Sequence, residues 1–159
     1  MTKAILPEFA AFRRSAEKMY DFLLRHRDFW CDARRQDRTG VQMLVVLESG
    51  RHAFEIGPVS VGDADEFAAI AGMLLEQIES ADVWSTGELS SQPVGVAIRT
   101  KVGLLLIVGL SKALDEVLAL MIAVDMGHLN RARARWVLEQ RSNNPHAGLL
   151  SQVLGPQNT

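Results

Sequence analysis

The stretch that decides the fold runs from Val41 to Ile56, VQMLVVLESGRHAFEI. Val41 to Leu47 is apolar and rich in β-branched residues, Ser49-Gly50 is a turn signal, and Arg51 to Ile56 alternates polar with apolar. Two such runs around a short Gly-containing turn predict a β-hairpin. Upstream, Phe9, Phe12, Ala16, Met19, Leu23, Trp30 and Ala33 recur at spacings of three and four, with His26 in one slot of the same stripe. This heptad-like seam predicts one helix from Pro7 to about residue 38, stopped by Thr39-Gly40. Such a helix of about 30 residues would be roughly 45 Å long, so part of its stripe needs a partner helix in the same chain or another. Dimerisation is the natural expectation.

Downstream, Asp63 fits an N-cap with Glu66 three residues on, and Phe67, Ile70, Met73, Leu74 and Ile78 form one helical face to about Ser80. Ala68, Ala69, Ala71 and Gly72 make the opposite side small, which permits close helix approach. Asp82 to Pro93 is a loop or a short edge strand around Val83-Trp84. Val94, Val96 and Ile98 alternate with Gly95, Ala97 and Arg99 as in a half-buried strand, and after Thr100-Lys101 the apolar run Leu104 to Val108 predicts a central strand covered on both faces. Ser111 suits an N-cap, and Leu114, Val117, Leu118, Met121, Ile122 and Met126 mark the buried half of a third helix running to about Gln140. Asp115 and Glu116 suit its positive end, and its far half, HLNRARARW, is basic. The predicted class is α/β of the α+β kind: a mainly antiparallel sheet of about four to five strands packed with helices, in the order α-ββ-α-(β)ββ-α. Residues 1–142 make one domain, and 143–159 read as a tail with at most one turn of helix at Leu149-Leu150.

Composition narrows the function. At 159 residues, 48% hydrophobic and 23% charged, the chain is an ordinary single globular domain. Seventeen basic against nineteen acidic side chains give a net charge of -2, which supplies no global field for nucleic acid or an anionic membrane. Cys31 has no intramolecular disulfide partner and MTKAILPEF lacks an apolar signal core, so the expected location is the cytoplasm. The apolar stretch Val102 to Gly127 is broken by Lys112, Asp115, Glu116 and Asp125, against a membrane span.

No chemistry-bearing cluster stands out. His26, Asp28 and Cys31 lie close in sequence, but a metal pair on one helix face wants a spacing of three or four, and His26 and Cys31 are five apart. His52, His128 and His146 have no partner spacing for a nucleophile-base-acid set, and neither GxxxxGK[ST] nor GxGxxG occurs. No catalytic residue, cofactor or metal is assigned. Basic runs such as Arg13-Arg14 and Arg34-Arg35 are ordinarily solvated faces. The retained candidates for partner binding are Arg131 and Arg135, four apart on one helix face, with His128 one turn earlier, Trp136 beside them and Trp84 in its polar loop.

The texture LVVLESGRHAFEIG, DADEFAAIAGMLLEQIES and VGVAIRTKVGLLLIVGL, followed by an amphipathic helix, resembles the roadblock/LC7 family over about Val41 to Leu129. The resemblance implies a homodimer in which the central sheet and second helix meet their symmetry mates, and a regulatory or scaffolding role toward a protein partner such as a small Ras-like GTPase. It transfers no catalytic residue. The long first helix, the glycine-free turn Thr100-Lys101 and the basic C-terminal extension depart from the family pattern. Profilin-like sensor domains share much of this layout, so the alternative expectation is a small-molecule sensor with a pocket between sheet and helix.

Overall fold

The computed structural model describes residues 7–25, 40–57, 61–89 and 94–154, without the side chains of residues 61–65, 153 and 154. β1 (Val41–Leu47) and β2 (Gly50–Ile56) form the expected hairpin, in antiparallel register from Val41 opposite Ile56 to Leu47 opposite Gly50. This register makes Glu48 and Ser49 the turn, and Gly50 is already paired. β4 (Gly103–Val108) joins the other side of β1, and β3 (Val96–Arg99) pairs with β4, giving an antiparallel sheet in the order β2-β1-β4-β3. β4 is central, as its unbroken apolar run predicts: Leu105 and Ile107 enter one core, Leu106 and Val108 the other. β3 is also covered on both faces rather than half-buried, because Ala97, on the side that the alternation assigns to solvent, packs in the second core. The turn between β3 and β4 needs no glycine at its tip. The Thr100 hydroxyl accepts from the amides of Val102 and Gly103 at 3.3 and 3.2 Å, and the glycine stands at the start of β4, where a Cβ would meet the Val46 carbonyl oxygen at 2.0 Å.

α1 (Pro7–Leu24) buries Phe9, Phe12, Ala16, Met19 and Leu23, the predicted stripe, together with Ser15 and Tyr20. The expected continuation through His26, Trp30 and Ala33 to about residue 38 lies outside the described residues, as do Asp28 and Cys31. Over its described length the stripe packs on α3 (Lys112–Asp125) of the same chain. There the Ser15 hydroxyl and the Lys18 ammonium each donate to the Asp125 carboxylate at 2.7 Å. This portion of the seam therefore finds its partner without a second copy.

α3 is capped by Ser111, which accepts from the Leu114 amide at 3.2 Å, and every residue from Leu114 to Ala123 is buried. A helix enclosed on all sides is a core helix, not an amphipathic one. It ends at Asp125, well short of Gln140. Gly127 takes φ +76°, and the amides of Gly127 and His128 bond back to the Val124 and Ala123 carbonyls at 3.0 and 2.9 Å, the reciprocal closure of a Schellman ending. A new helix, α4 (Arg131–Trp136), then starts at Asn130, whose side chain accepts from the amides of Ala132 and Arg133, and passes into a π turn at Val137–Arg141. The C-terminal segment is also more than a tail: α5 (Gly148–Leu154) buries Leu149 and Leu150 in the same core. Asn143-Asn144-Pro145 reads as a chain end, yet it is a tight connection, with Asn143 at φ +48° and Asn144 buried.

Among the described residues α2 (Val61–Ser80) alone covers the opposite face of the sheet, over β3, β4 and β1. Its start at Val61 places Asp63 inside the helix, so the expected Asp63–Glu66 capping box does not form its N-terminus. The line against the sheet is Phe67, Ile70, Ala71, Leu74, Leu75 and Ile78. Met73, expected in that line, is 49% exposed, and Ala71, expected outside it, is buried. The Arg99 guanidinium closes the C-terminal end of α2 by donating to the carbonyls of Ile78, Ala81 and Val83. Among the described residues no helix is long and apolar enough to cross a membrane.

Candidate functional site

The segment expected as a loop or edge strand around Trp84 does both jobs. Ser85 makes a single bridge to Ile98, and the Arg99 amide donates to the Trp84 carbonyl at 2.8 Å, extending the sheet by one residue beside β3. The chain then turns through a short 3-10 helix at Thr86–Glu88. A capping box makes this turn: the Ser85 hydroxyl accepts from the Gly87 amide at 2.9 Å, and Glu88 accepts from the amides of Trp84 and Ser85 at 2.8 and 3.1 Å. The spacing S-x-x-E in Ser85-Thr86-Gly87-Glu88 is the sequence signal for it. The buried Thr86 hydroxyl accepts from the Ala97 amide at 3.0 Å, fastening the turn to β3.

Beneath this turn lies Glu116, 1% exposed in the second turn of the core helix α3. Its carboxylate accepts from the Ser85 hydroxyl, from the Ser142 hydroxyl at 2.6 Å and from the Asn144 side-chain amide at 2.9 Å. Three donors from two segments far apart in sequence therefore converge on one buried carboxylate, which is how such a group is made tolerable. Gly87 is what lets the turn come so close, since a Cβ there would sit 1.8 Å from a Glu116 oxygen. Lys112, one helical turn earlier, donates to the Leu89 carbonyl at 2.5 Å. Burial pushes the Lys112 ammonium below the usual lysine range, while the Glu116 charge acts in the opposite direction. Sequence reading treated Glu116 only as a favourable charge near a helix start; no spacing rule pairs it with Ser85, Ser142 and Asn144.

The surface above this cluster is an arginine-tryptophan stack. The Arg133 guanidinium lies 5.0 Å from the Trp84 ring centre and 4.9 Å from that of Trp136. Arg141 lies 5.5 Å from the Trp136 ring and donates to Glu88 at 2.6 Å. The two predicted tryptophans are thus brought together, but by Arg133 rather than by the expected pair of arginines. Arg135 is paired with Glu139 at 3.0 Å, and Arg131 is half-buried at the first position of α4. His128 is not one turn before them on the same helix, because the Schellman ending and the Asn130 cap intervene. Trp136 is 37% exposed, and Trp84 is half-buried against the main core.

His128 belongs to a different feature. It lines a cavity of about 610 Å³ with Glu8, Phe12, Leu47, Glu48, Ser49, Lys101, Val102 and Met126, between the start of α1, the two sheet turns and the exit of α3. The imidazole packs 5.2 Å from the Phe12 ring, and its buried Nδ1 has no hydrogen-bond partner among the described residues. Burial holds its pKa below the ordinary histidine value. Among the described residues no group of three or more histidine, cysteine or acidic side chains is placed to hold a metal ion. Comparison with protein families, with curated proteins and with solved structures finds no match to this chain.

Proposed function

We propose that this chain is a non-catalytic, homodimeric interaction module that regulates or scaffolds a protein partner, with a small Ras-like GTPase as the partner class that the roadblock/LC7 resemblance implies. The observation that carries the reading is the outer face of α2. Ala68, Ala69, Gly72 and Met73 are exposed there as one stripe, and beyond the helix's own backbone and the adjacent residues nothing lies within 4 Å of where a Gly72 Cβ would stand. A stripe of small side chains beside an exposed methionine suits close approach of a second α2, and burying it removes apolar surface from water at about 25 cal/mol per Å². Sedimentation equilibrium at micromolar concentration tests the proposal: a dimer is expected, and a strict monomer overturns it.

The cavity around His128 favours a second reading, a small-molecule sensor. Its volume of about 610 Å³ falls in the range of small-molecule sites, and its lining is mixed, apolar from Phe12, Leu47 and Met126 and polar from Glu8, Glu48, Lys101 and His128. Native mass spectrometry of the purified chain separates the two readings, since a retained metabolite supports the sensor and a bare dimer supports the module.

A further inference from the structure

We infer that Arg133 is a carboxylate-binding site and that it docks an acidic segment of a protein partner carrying an apolar residue beside its acid. The inference deepens the interaction-module reading and rests on it for the existence of such a partner. The Arg133 guanidinium lies over two indole rings, 5.0 Å from the Trp84 ring centre and 4.9 Å from that of Trp136, and its N–H edge makes no hydrogen bond among the described residues. That edge carries the fork of N–H donors that matches a carboxylate two-to-two. Stacking also removes the rotamer freedom that an arginine otherwise loses on binding, which is the usual cost of using so long a side chain at an interface.

The neighbouring arginines show what sets Arg133 apart. Arg135 is paired with Glu139 and Arg141 with Glu88, whereas among the described residues the Arg133 guanidinium has neither an ion pair nor a hydrogen bond. It opens on a cleft of about 380 Å³ shared with Asn130, Ala132 and Trp136. The Asn130 side-chain oxygen is committed to the amides of Ala132 and Arg133 at 2.7 and 3.4 Å, which leaves its NH₂ as a second donor at the cleft. The exposed part of Trp136 supplies an aromatic wall next to these donors. A cleft with one uncommitted guanidinium, one amide donor and one indole fits a single carboxylate with an apolar neighbour. It does not fit a polyanion: Glu88 and Glu139 neutralise the flanking arginines, and the chain as a whole carries a net charge of -2.

The test uses the full chain and two synthetic peptides, acetyl-Ala-Phe-Asp-Glu-Phe-Ala-amide and its neutral isostere with Asn-Gln in place of Asp-Glu. Proton–nitrogen correlation spectra follow the arginine Nε–H and tryptophan indole N–H signals during titration. The acidic peptide is expected to shift Arg133 together with Trp84 and Trp136 in a salt-sensitive, saturable manner, and the isostere to leave them in place. R133M should weaken binding at least about tenfold, R133K should retain part of it, and R135Q should change little because that arginine is already paired. Equal binding of the neutral peptide, or unchanged binding by R133M, overturns the site. Sedimentation equilibrium of the same samples keeps the two ideas apart. A dimer that ignores the acidic peptide sinks the carboxylate site alone, whereas a monomer that binds it sinks the dimer and leaves the site standing.

Discussion

Replacing Glu116 by alanine is the sharpest test of how the surface around Trp84 is held. The substitution removes the acceptor for three donors: the Ser85 hydroxyl, the Ser142 hydroxyl and the Asn144 amide. Their losses are unequal. Ser142 is half-buried and can turn to water, and the Asn144 amide also donates to the Ala113 carbonyl at 2.9 Å, so each keeps part of its bonding. Ser85 is fully buried, and although its hydroxyl still accepts from the Gly87 amide, its O–H donor loses its acceptor; hydrogen bonds to a charged acceptor are worth about 1.5–3 kcal/mol each. The expected cost is about 3–5 kcal/mol, a large part of the roughly 5–15 kcal/mol that holds a domain of this kind together. At about 2–4 °C per kcal/mol the melting temperature should fall by roughly 10 °C. E116Q keeps one carbonyl acceptor in the same volume and should lose about half as much. Urea unfolding followed by tryptophan emission measures both variants, and the native-state emission of E116A should also shift because Trp84 is anchored through Ser85. A loss below about 1 kcal/mol for E116A, with unchanged emission, would refute the claim that Glu116 is the anchor of this surface.

Two further outcomes follow from the packing. Leu150 is 1% exposed in the main core, so L150A should cost about 2–5 kcal/mol in urea unfolding, whereas a dispensable tail would show almost nothing. Burial lowers the His128 pKa, so the unfolded chain binds this proton more readily than the folded one. Stability from this group is complete above the unfolded value of about 6.5 and is lost as pH falls below it. H128F should remove that part of the acid-side decline, seen as a flatter dependence of the urea midpoint between about pH 7 and pH 5.5.

The strands were legible because their signals are local. Alternation and β-branching mark β1 and β2 directly, and the uninterrupted Leu104 to Val108 run marks a strand enclosed on both sides. The helices were legible in kind but not in limits. Apolar residues on both sides of Gly127 continue a helical period through it, and only the left-handed backbone at that glycine shows that one helix closes and another opens. On α2, Ala71 and Leu75 face the sheet where Met73 is expected; Ala71 escapes notice because a methyl group carries little pattern but fits well where a helix lies close to strands. The site was half visible. Trp84 and Trp136 stand out as aromatic residues in polar surroundings, yet nothing in sequence separation says that Arg133 sits between them. Glu116 was hidden for the opposite reason: beside Asp115 near a helix start it reads as a charge that suits the positive end of the dipole, until Ser85, Ser142 and Asn144 are brought to it by the fold.

The exposed face of α2 remains the feature on which the functional account stands, and Gly72 gives a way to probe it without disturbing the fold. A Cβ at this position meets nothing within 4 Å beyond the helix's own backbone and adjacent residues, the position is exposed, and leucine is a better helix former than glycine, so G72L should fold normally. In a dimer built on close approach of two α2 helices the same side chain stands in the contact. Sedimentation equilibrium of the native chain and G72L side by side at micromolar concentration decides the matter, with circular dichroism confirming that both are folded. The account predicts a native mass of twice 17.6 kDa and a G72L mass of 17.6 kDa; a native monomer, or a G72L variant that stays dimeric, would contradict it.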